Sequence, residues 1–395
     1  MFPGAVFLCI KVKDYEVMME YTKKYNELKN VFNPDIKEIL IPGSDIKIVN
    51  ERFVSNDESI GFSSESDRMI QENNNFSYPV FVPADRNSKK VILLFHGLNE
   101  RSWIKYLAWA YYLAENTGSY VVLFPISFHI NRSPVTWKDP RAMVPFVNER
   151  KIRYGETEMA SFANIALSNR LTEDPLRFLN SGHRTVGDIV QLMSMIKAGN
   201  HPVIPSETRV NIFAYSIGAF LAEIIMMGNP ESLFSESKLF MFCGGSVFSN
   251  MQGTSKLIMD RLAYEKIYKF YLSDFEKEIK GSGPVVEFLR TSRVGMAFRS
   301  MIDLGRFRNF REKALKELRD QVHSIALLKD SVIPAKGITE AMNFDNRHNS
   351  FLSETWDFPH HYYHENPFPV YDNKDSLLVD TSFDRLFTRA ALFLA

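Results

Sequence analysis

Val210-Asn-Ile-Phe-Ala-Tyr-Ser-Ile-Gly-Ala-Phe-Leu-Ala-Glu-Ile-Ile-Met226 decides how the rest of this chain is read. Val210 to Phe213 is a short apolar run of the kind that fills a buried strand. From Ile217 onward the apolar residues Phe220, Leu221, Ile224 and Ile225 recur at helical spacing. The joint between the two is Ala214-Tyr215-Ser216-Ile217-Gly218. A strand that turns directly into a helix holds the residue at the joint in a strained conformation. It also demands small residues two positions before and two after. Gly218 meets that demand, and Ala214 carries the least bulk a chiral residue can. The helix then points its N-terminus at Ser216, so amide donors are aimed where an oxyanion would form. The bland alternative is a tight strand–helix turn with an incidental serine, and the flanking sequence has to choose.

Upstream, Tyr78 to Pro83 reads as a strand, and Lys89-Lys-Val-Ile-Leu-Leu-Phe95 as a central strand buried on both faces. The latter ends in His96-Gly97-Leu98-Asn99. A helix over Ile104 to Asn116 and a strand over Tyr120 to Phe124 follow, the order expected of parallel crossover units. His183 to Ile196 reads as the helix before the serine strand. Downstream, Lys238 to Gly245 is a strand ending in two glycines. Gln321 to Pro334 holds another, with Asp330 directly after it. Phe351 to Phe358 is expected as the last strand, running into Pro359-His-His-Tyr-Tyr-His-Glu-Asn-Pro-Phe368, and Ser382 to Leu394 as a terminal helix.

The small-x-Ser-x-Gly joint, the His-Gly after a buried strand and the acid followed by Val-Ile-Pro together resemble the α/β-hydrolase superfamily. Alanine replaces the first glycine of the nucleophile elbow in some of its lipases. The His364-Glu-Asn-Pro-Phe368 run is similar to that of functionally uncharacterised bacterial members. The resemblance spans roughly residues 78–395 and implies an α/β fold, a mostly parallel central sheet with helices on both faces. Its order of catalytic groups is Ser, Asp, His, matched here by Ser216, Asp330 and His364, with His361 as the alternative base. The amides of Leu98 and Ile217 would form the oxyanion hole, where one donor is worth about 3 kcal/mol. The expected organisation is an N-terminal extension (1–76) packed on the core, the hydrolase core (77–250 and 323–395) and a helical insertion (251–322). That insertion is either a cap over the site or a set of outer helices.

Composition agrees with an ordinary globular protein, with 45% apolar and 24% charged residues in 395. Lys+Arg and Asp+Glu are equal at 47 each, so no global field favours nucleic acid or an anionic membrane. Cys9 and Cys243 define neither a disulfide framework nor a zinc pattern, and Cys243 reads as a small buried hydrophobe. No metal or other cofactor is expected. The start of the chain, Met1 to Ile10, is apolar but lacks a basic leader, and no run is long enough to span a bilayer. A cytoplasmic protein acting on a small-molecule ester or acyl substrate is the expectation. Tyr15 to Leu28 suits an amphipathic helix, Ser55 to Asn75 a polar packing segment, and 125–160 loop material. A catalytically silent binding protein on the same fold competes with the esterase. So does an acyltransferase, thioesterase or peptidase using the same three residues, because pocket shape rather than fold decides among them.

Overall fold

The computed structural model describes residues 19–56, 65–342, 353–371 and 375–395. One nine-stranded sheet runs through them in the order β1-β2-β3-β5-β4-β6-β7-β8-β9. The strands are β1 (Glu38–Leu40), β2 (Lys47–Val54), β3 (Asn75–Val82), β4 (Lys90–Phe95), β5 (Tyr120–Leu123), β6 (Arg209–Tyr215), β7 (Leu239–Phe242), β8 (Val322–Leu327) and β9 (Ser353–Trp356). From β5 across to β9 every pairing is parallel, whereas β1, β2 and β3 pair antiparallel and β3 joins β5 antiparallel.

Parallel crossovers place helices on both faces, so the central strands need apolar side chains in both directions. β4 shows this directly. Val91, Leu93 and Phe95 enter one core with the helices Leu176–Lys197 and Ile217–Gly228. Ile92 and Leu94 enter the other, under Ile104–Thr117 and Ser376–Leu394. The mostly parallel sheet covered on both faces, with a serine at a strand–helix joint, is the α/β-hydrolase arrangement.

Three expectations change. Residues 1–76 contribute more than a packed extension, since β1 and β2 are strands of the sheet itself. The helix expected over 15–28 is Tyr21–Val31 among the described residues. Its Tyr21 ring stacks on Phe383 at 4.3 Å, and the Thr22 amide and hydroxyl both donate to Asp380, 358 positions away. Second, 125–160 is not all loop. Asp139 caps a helix over Pro140–Tyr154, accepting from the Arg141 amide at 2.9 Å, with proline at the first helical position. Third, the strand expected from Phe351 is Ser353–Trp356 in the described residues. Met1 to Ile10, including Cys9, and part of the polar Ser55 to Asn75 stretch lie outside the described residues.

Residues 251–322 are largely helical, with helices at Arg261–Lys269, Pro284–Thr291, Arg293–Ser300 and Arg308–Glu317. They pack into the core rather than standing off it. Tyr271, Phe275, Leu289 and Phe298 are buried in the same cluster as the serine helix. Arg293 donates to the Met227 carbonyl at the end of that helix at 2.7 Å. A side chain at Gly228 would reach within 2.7 Å of Val294, so the backbones nearly touch. Among the described residues no helix is long and apolar enough to cross a membrane.

Candidate active site

Ser216 sits between β6 and the helix Ile217–Gly228 at φ 58°, ψ −125°, a conformation non-glycine residues adopt only under constraint. The constraint is close packing. A Cβ at Gly218 would stand 2.7 Å from the His96 carbonyl oxygen, and one at Gly244 would lie 2.2 Å from the Ala219 methyl. Glycine at 218 therefore lets the helix start against the end of β4. The glycine after β7 lets the first helical turn settle on the sheet. Ala214 is fully buried, its methyl part of the core.

Three strand ends bring the expected residues together. Ser216 Oγ lies 2.6 Å from His364 Nε2, and His364 Nδ1 lies 2.7 Å from Asp330 Oδ2. All three residues are at most 4% exposed. An ionised carboxylate only accepts, so Nδ1 carries the proton and Nε2 is left to accept from the serine hydroxyl. The other Asp330 oxygen accepts from the Val332 and Ile333 amides, both at 2.9 Å. That explains why the acid precedes a tight Val-Ile-Pro turn. His361 is exposed, and its ring leans on Tyr363 at 4.6 Å. His360 is buried and bonds the Pro367 carbonyl at 2.9 Å, which pins the same loop.

The loop after β4 is held by His96. The Ile126 amide donates to His96 Nε2 at 2.9 Å, so Nδ1 bears the proton and donates to the Gly97 carbonyl at 2.7 Å. Burial, with His129 close by, pushes this imidazole well below its usual range and keeps it neutral. In a trans peptide the N–H opposes the C=O. Tying down the Gly97 carbonyl thus turns the Leu98 amide the other way. Tyr106 accepts from the Gly97 amide at 2.9 Å and donates to Glu100 at 2.7 Å, while Asn99 reaches the Ala163 and Leu257 carbonyls. Ile217 opens its helix, where amides lack intrahelical acceptors.

Two participants escaped the sequence reading. Tyr215 stacks its ring on His364 (5.5 Å, 18°) and donates its hydroxyl to the His364 carbonyl, fixing the loop from the strand below. An aromatic beside the serine was visible, but its partner 149 positions away was not. Cys243 follows β7 at φ 50° and is more than a core hydrophobe. Its sulfur lies within 4.8 Å of ligand-type atoms of Asp330 and His364. Burial, then the Asp330 carboxylate, pushes the thiol well above its usual range. A protonated thiol is a poor metal ligand, and both Asp330 oxygens are already engaged, so the trio suits hydrogen bonding rather than ion binding.

Ser216 and His364 open into a cavity of about 490 Å³ whose wall includes Leu98, Arg101, Lys138 and Glu365. A second, apolar cavity of about 40 Å³ also meets Ser216, lined by Ile217, Phe248, Met251, Met259 and Val332. The site thus offers a positioned hydroxyl, a proton acceptor oriented by a carboxylate, and adjoining space for a ligand on two sides.

Solved structures similar to this chain include carboxyl esterase 2 from the fungus Tuber melanosporum (9% identity, 95% of this chain and 99% of that one, TM-score 0.44). An S-formylglutathione hydrolase from Agrobacterium tumefaciens is similar at 15% identity, over 92% of this chain and 98% of that one, TM-score 0.43. A peroxisomal α/β-hydrolase from Saccharomyces cerevisiae follows at 10% identity, over 88% and 90%, TM-score 0.38. No curated protein matches. Residues 62–395 match a family described as "Family of unknown function (DUF6051)", and the chain belongs to that family.

Proposed function

We propose that the protein is a serine hydrolase that cleaves carboxylic esters through an acyl-enzyme on Ser216. One observation carries this reading, the continuous chain of short contacts from the Ser216 hydroxyl through His364 to Asp330 at a strained elbow. A serine hydroxyl is a weak nucleophile at neutral pH unless a base takes its proton during attack. Ser216 Oγ adds to the ester carbonyl carbon while His364 Nε2 takes the hydroxyl proton. Asp330 stabilises the resulting imidazolium. The amides of Leu98 and Ile217 receive the oxyanion. The carbon–oxygen bond to the alcohol then breaks, and His364 returns its proton to the departing oxygen. Water attacks the acyl-enzyme, His364 takes one of its protons, and the carboxylic acid leaves as Ser216 is reprotonated. The helices over 261–317 act as fixed walls in this reading, because their apolar residues are already spent in the core.

Incubation with a fluorophosphonate followed by intact mass tests the proposal. One adduct, lost in Ser216→Ala, is expected. An unlabelled folded protein beside a labelled control hydrolase would leave the silent binding protein as the better reading.

A further inference from the structure

The two cavities that meet at Ser216 differ in size and in charge. Which one receives the leaving group follows from the position of the general acid. His364 lines the 490 Å³ cavity and is absent from the wall of the 40 Å³ one. The alcohol must depart on the side where His364 Nε2 can protonate it, so the large cavity is the alcohol side and the small apolar one the acyl side. At about 40 Å³ the acyl side is far smaller than the alcohol side and suits a short apolar acyl chain.

The alcohol side has an unbalanced wall. Glu100 is paired with Lys105 and also accepts from Tyr106, and Glu365 accepts from the Ser255 hydroxyl. Arg101 and Lys138 line the same cavity, and neither has an ion-pair or hydrogen-bond partner among the described residues. With the Glu100–Lys105 pair cancelled, two cations face one acid. Lys138 is only partly exposed. Burial lowers its pKa, and Glu72 opposes this from beyond ion-pair distance. A half-buried ammonium without a counter-ion is a cost that a bound anion offsets. The Arg101 guanidinium on the same cavity wall supplies the planar fork suited to a carboxylate or phosphate.

We infer that the substrate is a short-chain acyl ester whose alcohol carries a carboxylate or phosphate held by Arg101 and Lys138. This rests on the hydrolase reading above. The chemistry is unchanged: the acyl–oxygen bond breaks, His364 supplies the proton, and the anionic alcohol leaves through the wider opening.

The test compares 4-acetoxybenzoate with its neutral analogue 4-acetoxybenzamide. The amide gives the better leaving phenol, so any preference for the carboxylate reports binding rather than intrinsic reactivity. Wild-type kcat/KM should favour the carboxylate by about tenfold or more, as expected for one or two charge contacts in a partly screened cleft. The preference should shrink as salt rises, and collapse towards one in Arg101→Gln/Lys138→Gln. Equal rates in the wild type, or a ratio unmoved in the double variant, would overturn the charge assignment. The octanoyl ester of 4-hydroxybenzoate should be slower than the acetyl ester, and the reverse order would overturn the acyl assignment. Fluorophosphonate labelling separates the two readings. Labelling without charge preference sinks this inference alone, whereas absence of both labelling and turnover sinks the hydrolase itself.

Discussion

The loop after β8 and the middle of the serine helix each bury a carboxyl group and treat it in opposite ways. Asp330 is 4% exposed and surrounded by donors, two backbone amides on one oxygen and His364 on the other. Glu223 is 2% exposed, and neither of its oxygens has a hydrogen-bond partner among the described residues. Burial pushes Glu223 up to about 8 while Arg311 pulls it down. That guanidinium already donates to the Ser300, Asp303 and Leu304 carbonyls. The contrast separates two uses of a buried acid. Asp330 has both oxygens engaged by donors and holds the His364 ring through its Nδ1 side. Glu223 is a neutral acid below its shifted pKa and fills space beneath the elbow. Burial alone therefore does not say what a carboxyl group does; its donors must be counted as well.

Removing the charge at the saturated site should have the largest effect. Asp330→Asn keeps an acceptor for the Val332 and Ile333 amides but offers an NH₂ to His364, favouring the wrong tautomer. Turnover of a short aryl ester should fall about 10⁴-fold with little change in melting temperature. Near-normal turnover would erase the distinction drawn here.

Next comes the unsatisfied site, read by stability instead of rate. Because the folded Glu223 pKa is raised from 4.5 to about 8, its contribution is fully present below the unfolded value. It is lost as pH rises through about 8. Glu223→Gln removes that titration. The variant should match the wild type in mild acid and be the more stable by a few kcal/mol above pH 8, with unfolding followed by denaturant at several pH values. Parallel stability–pH curves for the two proteins would mean that Glu223 is not held neutral.

A smaller effect is expected at His96, a second saturated buried group, which ties down the Gly97 carbonyl before the Leu98 amide. His96→Ala should lower kcat roughly tenfold, less than loss of a whole oxyanion donor, with KM nearly unchanged. A rise in KM at constant kcat would point to a packing role instead.

Much of this was legible in the sequence because the central strands are buried on both faces and so read as unbroken apolar runs. β4, β6, β7 and β8 fall where those runs are, and Ser216 and Asp330 follow them directly. β2 was hidden by its own polar residues. Asn50 and Glu51 are buried within it; Asn50 donates to the Asn33 and Ile36 carbonyls and Glu51 pairs with Lys37, while Asn50 Oδ1 and Glu51 Oε1 have no hydrogen-bond partner among the described residues. The Pro140–Tyr154 helix was hidden by Pro145 and its scattered charges, which leave no apolar stripe. At the site, His364 was readable as a loop histidine past the last strand. The contacts of Tyr215, Cys243 and His96 cross long stretches of chain, and no local pattern encodes them.

Tyr21 and Thr22 are bound to Phe383 and Asp380 near the far end of the sequence. A ribosome adding about 5–20 residues per second exposes the first helix roughly 20–70 s before its partner exists. During that interval Tyr21–Val31 has only its other neighbour, Ile104–Thr117, to pack against. Closure of the sheet at β9 and docking of Ser376–Leu394 are likewise postponed until those residues have been made. Contacts spanning such separations make for slow folding. The nascent chain therefore carries a finished serine strand for as long as it takes to add the 148 positions that separate Ser216 from its histidine.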